Sequence, residues 1–490
     1  MPSDAVIRAS DLYELAVCFH RISLDRRRPH SERAVPDEAS RLLAERGLEL
    51  ERAHAERLGW PQPEYSPPDF PRGAERTAEL LQRGVEGVYQ AVLYDGRFLA
   101  IPDFVRRVPG RSAFGDFHYE PGDVKAGLEP RADHVLQVAL AGWLLERCQQ
   151  RAPQRGFLWL GDGREEVFSL TELRYVLDAA RRRVAAIVDG EEQTQPFWSA
   201  ACGRCRWRER CLPELIAADD LSLVDGMTRT RRRVLERSGL ATVAALAAHD
   251  PTASPCEDRP ALGLEHLVRQ ARALAQRRVT LARPLELPAT PEGELLVHAE
   301  RDPLEREQVV LLAWRARCEG QRDVDTVRVL LNDTERADAL RELVALVEKG
   351  ALPLLHFGSE TPRALSRLAE RVDLSPRRQA ALDDRLWDLA VTLRRAAAYL
   401  PVRRYTLDEV TAAIAGNEPT GWNEPPFADL LPAFVLLDQL RRDAHGPWRQ
   451  SIVDLGLARL GQLGAIVDWI RRSGCRWPRQ ARGARRPARR

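Results

Sequence analysis

Residues 119–129 read YEPGDVKAGLE and contain Lys125, one of two lysines, with Lys349, among 74 lysine and arginine residues in a 490-residue chain. Nearly every basic position is arginine, so Lys125 marks a place where a guanidinium does not serve. A lysine ammonium is compact and its pKa responds to its surroundings, whereas arginine stays charged and presents a broad planar fork. As a strand, the stretch puts Asp123 and Lys125 on one face and turns Val124 to the core.

Working outward, GVYQAVLYDG and RFLAIPDFVRRV read as strands before this one, and Asp103 falls at a strand end in IPDFV. Val135, Leu136, Ala139, Leu140, Trp143 and Leu144 recur at 3- and 4-residue spacing, the apolar stripe of a helix that also carries Gln137. Further upstream the periodicity predicts helices over 11–24 and 39–58, joined to the strands by the proline-rich WPQPEYSPPDFPRG. Downstream, GFLWLGDGREEVFSL predicts a hairpin and 171–187 another helix. Helix, three strands, helix is the order of a compact α/β layer with one covered sheet.

Asp103 and Asp123 are hard oxygen donors suited to Mg²⁺ or Mn²⁺. An ammonium beside such a cation can orient or help deprotonate a water and offset charge growing on a phosphate. The plainer reading is an exposed ion pair at a strand end. Its position between a strand-borne Asp and a Gln-bearing helix favours a catalytic cluster.

This arrangement resembles the PD-(D/E)XK nucleases, and within them the RecB-like branch. The resemblance implies a restriction-endonuclease-like core in which Asp103 and Asp123 hold the metal and Lys125 acts on the water. Gln137 would position Lys125 or the substrate. A helical Glu or His ligand is also implied; Glu51 in GLELE matches it, with His54 one turn further on. Ala141 stands where the family often has tyrosine four residues after the Gln.

Cys202, Cys205 and Cys211 follow a C-x2-C-x5-C spacing, with Cys18 far upstream. Thiolates so spaced can hold a soft metal centre, and the interleaved arginines favour an anionic one. One distant cysteine and three clustered ones resemble the [4Fe–4S] staple of RecB-like and CRISPR-associated nucleases. That cluster is the expectation, beside a four-cysteine zinc site or free thiols. Cys148, Cys256, Cys318 and Cys475 have no such spacing.

In LSLVDGMTRTRRRVLERSGLATVAALAAHDP, Gly226 and Gly239 flank an arginine run. The segment resembles a helix-hairpin-helix module, in which Arg229, Arg231, Arg232 and Arg233 would contact phosphate. A solvated helical linker is the alternative. Strands ELLVHAE, QVVLLAW, TVRVLL and PLLHF then predict a second α/β domain, resembling the ribonuclease-H-like domains attached to such nucleases. The D-x-E of that family reads His298-Ala299-Glu300 here, and Arg459 stands near its expected last Asp. Glu360, Asp383, Asp384 and Asp388 are further carboxylates. Two-metal hydrolysis needs several carboxylates, so this domain is expected to be degenerate.

The sequence thus predicts a multidomain α/β protein: a nuclease domain over 1–215, a helical module over 216–282, a ribonuclease-H-like domain over 292–474 and a basic disordered tail over 475–490. The formal charge of +2 is too small to announce a nucleic-acid partner, so local patches carry that argument. With no signal-like start and no long apolar run, the expected compartment is cytoplasmic and the eight cysteines are not expected in disulfides. The expected activity is metal-dependent DNA hydrolysis in repair, recombination or end processing. The alternative is a catalytically inert nucleic-acid-binding scaffold.

Overall fold

The computed structural model describes residues 6–251, 263–288, 292–302, 308–318, 320–350, 352–416 and 432–473. The predicted tail, Cys256 and Cys475 lie outside them. The chain is mixed α/β and forms two compact units that part between Cys211 and Leu212. Among the described residues no helix is long and apolar enough to cross a membrane.

In the first unit, strand β1 (Ile7–Arg8) leads into α1 (Ala9–Arg27), followed by α2 (Glu38–Leu58) and α3 (Phe70–Gln82). Local chemistry sets the ends of these helices. The Asp37 carboxylate accepts from the Ser40 amide to start α2, and Gly59, at φ 62°, ends it. Asp69 caps α3, with Pro71 in its first turn, where a missing N–H costs nothing. Sequence periodicity did not reveal α3; its start signals sit inside what reads as a proline-rich connector.

The strands that follow are β2 (Gly87–Tyr89), β3 (Leu93–Tyr94), β4 (Phe98–Ala100), β5 (Phe104–Ser112) and β6 (Gly115–Lys125). Then come α4 (Ala132–Gln149), β7 (Arg155–Leu160), β8 (Glu165–Ser169) and α5 (Arg174–Asp189). The main sheet has the order β2-β5-β6-β7-β8. All neighbours in it are antiparallel except β6 and β7, which are parallel and are joined through α4. Each of the two predicted strands upstream is split in two, giving β2 with β3 and β4 with β5. Strands β1, β4 and β3 form a separate small sheet.

The pleat of β6 sorts its side chains. Tyr119 joins Leu140, Leu144 and Leu145 of α4 in the main core, while Val124 packs on the other face with Phe104 and Phe157, against Leu50, Ala55 and Leu58 of α2. Asp123 and Lys125 therefore share the α4 face. Beside them, Leu158 and Leu160 of β7 pack under Val138 of α4.

The second unit opens with α7 (Arg229–Arg237), α8 (Val243–Ala248) and α9 (Leu264–Gln276) after α6 (Arg208–Ala217), which spans the division. Strand β9 (Thr280–Leu281) precedes a five-stranded sheet of β10 (Glu294–Arg301), β11 (Val309–Arg317), β12 (Val324–Val329), β13 (Leu354–His356) and β14 (Leu386–Asp388). Its order is β12-β11-β10-β13-β14, antiparallel on the first three strands and parallel from β10 through β14. Helices α10 (Asp333–Gly350), α11 (Glu360–Arg371) and α12 (Pro376–Asp383) cover one face through Leu295, Val297 and Ala299. After α13 (Leu389–Arg395), α14 (Leu407–Ile414) and α15 (Ala433–Arg442), the 25-residue α16 (Trp448–Arg472) covers the other, packing Leu460, Leu463 and Ile466 on Leu296 and Ala313.

Candidate active site

Asp103 lies in the break between β4 and β5, one residue before β5, and not on a strand as its sequence context predicts. Pro102 precedes it and cannot donate to a ladder. The break lets backbone and side chain act together. The Asp103 amide donates to Asp123 Oδ1 at 3.0 Å, and the Val124 amide donates to Asp103 Oδ2 at 2.8 Å. Each carboxylate is thus held by backbone at the other's position. Lys125 Nζ lies 3.1 Å from Asp123 Oδ2.

Burial and the facing Asp123 push Asp103 well above the usual carboxylate range, against the pull of Lys125. For Lys125, burial favours the neutral form, but Asp123 and Asp103 outweigh it and hold the ammonium above its ordinary value. Two crowded carboxylates beside one ammonium make a site that a divalent cation would relieve.

Glu51, on α2, is held at the same site: its Oε1 accepts from Tyr89 Oη and Gln90 Nε2, both at 2.8 Å. The Gln90 amide in turn donates to the Asp103 carbonyl at 2.8 Å. Its charge is felt at both Asp103 and Lys125. His54 turns away; its Nδ1 is 3.0 Å from the Leu50 carbonyl and its ring stacks on Trp159, with centroids 5.3 Å apart. Gln137 lies half-buried on α4, and its amide makes no hydrogen bond among the described residues.

Sequence reasoning missed three members of this cluster. Tyr89 and Gln90 hold Glu51, and His134 sits on α4 one turn before Val138. The His134 ring is pushed down to about 4 by burial, with Lys125 adding to the shift and Asp133 and Asp123 opposing it, and its Nδ1 is buried without a hydrogen-bond partner among the described residues. Its place three residues before Gln137 on one helical face was the available signal.

Gly161 fixes the loop after Lys125. A Cβ there would sit 2.2 Å from the Ala126 carbonyl oxygen, and its amide donates to the Gly127 carbonyl at 3.1 Å. Only glycine permits so close an approach.

The cysteines are distributed as follows. Cys18 sits at a break inside α1, with φ −160° and ψ 99°, and Cys211 lies on α6. Burial raises the Cys205 thiol, and the charges of Cys202 and Cys18 raise it further. The cysteine-rich turn is anchored to the N-terminal segment: Trp207 Nε1 donates to Asp25 Oδ1 at 2.7 Å, and Arg210 pairs with Glu32 at 2.9 Å. The Ala34 amide also donates to the Arg206 carbonyl at 2.8 Å. By donor chemistry the carboxylates fit a hard cation and the thiols a soft centre. Among the described residues, however, no group of three His, Cys, Asp or Glu side chains is drawn in around a common point.

In the second unit, the strand pleat sends His298 and Glu300 toward α16. His298 Nε2 is 3.1 Å from Glu300 Oε1, and the Ala433 amide donates to Glu300 Oε2 at 2.9 Å. Arg459 reaches between carboxylates: its Nη1 donates to Asp408 Oδ1 at 2.6 Å and its Nε lies 3.8 Å from Glu300 Oε1. The other carboxylates are engaged elsewhere. Glu360 takes both arms of Arg301, at 2.8 and 2.9 Å, and Asp388 caps α13 while accepting from the Gly358 amide. Asp383 and Asp384 close α12.

The arginine run divides its tasks. Arg232 is half-buried in ion pairs with Asp220 at 3.0 Å and Glu236 at 2.7 Å, Arg231 Nη1 donates to the Gly226 carbonyl at 2.6 Å, and Arg233 Nε donates to the Arg229 carbonyl at 3.4 Å. Neither a protein-family model nor a curated protein matches this chain.

Proposed function

We propose that the first unit is a Mg²⁺- or Mn²⁺-dependent nuclease of the RecB-like PD-(D/E)XK type, acting on DNA. The observation that carries this reading is the reciprocal bracing of Asp103 and Asp123 with Lys125 on the same carboxylate. The strand order supports it: three antiparallel strands, a crossover helix and a parallel fourth are what a restriction-endonuclease-like core requires.

Asp103 and Asp123, with Glu51, would hold the cation. When bound, it polarises a phosphodiester and acidifies a water. The chain's own residues do the rest. Lys125 keeps a proton and a positive charge beside the reacting phosphate, and Asp123 fixes its direction. Tyr89 and Gln90 hold Glu51 toward the site, and Gly161 keeps Ala126 from drifting.

The thiols of Cys18, Cys202, Cys205 and Cys211 would hold a [4Fe–4S] cluster, whose contribution is to crosslink the two ends of the unit. In the second unit, an antiparallel trio continued by parallel strands supports the ribonuclease-H-like reading, and a guanidinium lies between Glu300 and Asp408. This unit is a nucleic-acid-binding scaffold in the present reading. The setting is cytoplasmic DNA repair, recombination or end processing.

The test is cleavage of labelled single- and double-stranded DNA with Mn²⁺, wild type against Lys125→Ala. Loss of activity in the variant alone supports the assignment. Equal activity in both rejects the site, and tight DNA binding without cleavage in either identifies an inert scaffold.

A further inference from the structure

We infer that the first unit pairs with a second copy of this chain through α4 and α5, Tyr175 of each copy filling a cleft in the other; this does not depend on the nuclease reading. Helix α5 is amphipathic, with Leu177, Ala180, Val184 and Ile187 turned to the core. Tyr175 stands outside that stripe and is 85% exposed, and Val176 beside it is 54% exposed. A ring held out in water contributes little to the fold, whereas tyrosine is among the residues that dominate binding interfaces.

Beside Tyr175 lies a cleft of about 160 Å³ between α4, α5 and the connecting segments at 152–153 and 170–171. Ala139, Pro153, Leu170 and Leu177 give it an apolar lining. Gly142 lets Leu170 come close to α4, since a Cβ there would lie 2.7 Å from Leu170 Cδ1. The Trp143 ring completes the lining, held between Arg147 and Arg181, whose guanidiniums lie 3.8 and 3.7 Å from its centroid. A cavity of this size admits a six-membered aromatic ring. Arg174 and Asp178 line the cleft from α5, next to Tyr175 and three residues beyond it, so the tyrosine stands at the rim without entering.

Charge identifies the occupant. Asp178 is spent on Arg181 at 2.7 Å, and Arg147 on Asp95. The two remaining charged lining residues, Glu146 and Arg174, are both exposed, and neither side chain closes a hydrogen bond or ion pair among the described residues. A two-fold contact makes every pairing twice, so Arg174 meets Glu146 of the partner subunit while Glu146 meets Arg174 of the partner subunit. An open acid, an open base, an exposed ring and a hole of matching size, all on one patch, make that patch complementary to itself.

The experiment is sedimentation velocity of the full chain over a concentration series. Wild type should show a monomer–dimer equilibrium, and Tyr175→Ala should weaken it at least about tenfold, the loss expected of a central aromatic anchor. Tyr175→Phe should keep it. Glu146→Arg and Arg174→Glu should each dissociate the dimer, because each sets like charges against one another. An equimolar mixture of these two variants should dimerise again, since opposite charges then meet at both contacts. Lys125→Ala should dimerise like wild type. A wild-type chain that stays monomeric, a dimer indifferent to Tyr175→Ala, or a mixture that fails to associate overturns the interface. Monomeric wild type whose DNA affinity falls with Tyr175→Ala also overturns it and assigns the ring to base stacking.

Discussion

Asp103 and Asp123 hold each other by reciprocal backbone hydrogen bonds, 3.0 Å in one direction and 2.8 Å in the other. The pairing has a cost, because burial and the neighbouring carboxylate raise the Asp103 pKa. A carboxyl group whose folded pKa exceeds its unfolded value binds protons more tightly when folded. It therefore lowers stability as pH rises from the unfolded pKa through the folded one. Asp103→Asn should raise the Tm by a few degrees at pH 7.5 in chelator, with the gap closing toward pH 4, and should abolish Mn²⁺-dependent cleavage. Calorimetry across pH checks the first effect and a cleavage assay the second; a lower Tm at pH 7.5 would count against the crowding.

Gly161→Ala places a methyl 2.2 Å from the Ala126 carbonyl oxygen, a backbone atom one residue past Lys125. Overpacking against backbone costs about 1–3 kcal/mol. Urea denaturation should show a loss of that size, and cleavage should fall further than stability explains, because Lys125 moves with the strand end.

Cys18 sits at a break in α1, and its charge, like that of Cys202, is felt at the Cys205 thiol. Anaerobically purified protein should be brown and contain iron and sulfide, and Cys18→Ser should lose most of both. A crosslink closing so long a loop contributes on the order of 2–5 kcal/mol, so the variant should also melt earlier. Colourless protein with zinc and no iron would replace the cluster by a zinc site.

Arg459 lies between Glu300 and Asp408, all three partly buried. Arg459→Ala removes the guanidinium shared by the two carboxylates, leaving Glu300 to His298 and the Ala433 amide and Asp408 to Gln462, and with solvent screening allowed for, the expected loss is about 1 kcal/mol. Urea denaturation measures it. Deletion of the arginine should not create cleavage activity in a Lys125→Ala background, as the carboxylates Glu360 and Asp388 remain tied to Arg301 and to backbone amides.

The first unit was readable in the sequence where apolar residues recur at a strand or helix period, as in α4 and the hairpin of β7 and β8. Strand β6 is buried on both faces, by α4 on one and α2 on the other, so its alternation alone says less. What the sequence hid depended on contacts between distant segments. Helix α3 announces itself only by the Asp69 cap and Pro71, inside a proline-rich stretch. Asp103 sits in a strand break because the Val124 amide and Asp123 carboxylate hold it there, which no local pattern records. Tyr89 and Gln90 matter only through Glu51, 38 and 39 residues away. The arginine run likewise hides its partners: Arg232 pairs with Asp220, twelve residues upstream, and with Glu236.

A Mn²⁺-soaked crystal and its anomalous difference map decide whether one divalent cation binds between Asp103 and Asp123. A single strong peak touching a carboxylate oxygen of each aspartate, with Glu51 and Lys125 nearby, is the expected result. A map with no peak there, or with manganese bound only at Glu300 and Asp408, contradicts it.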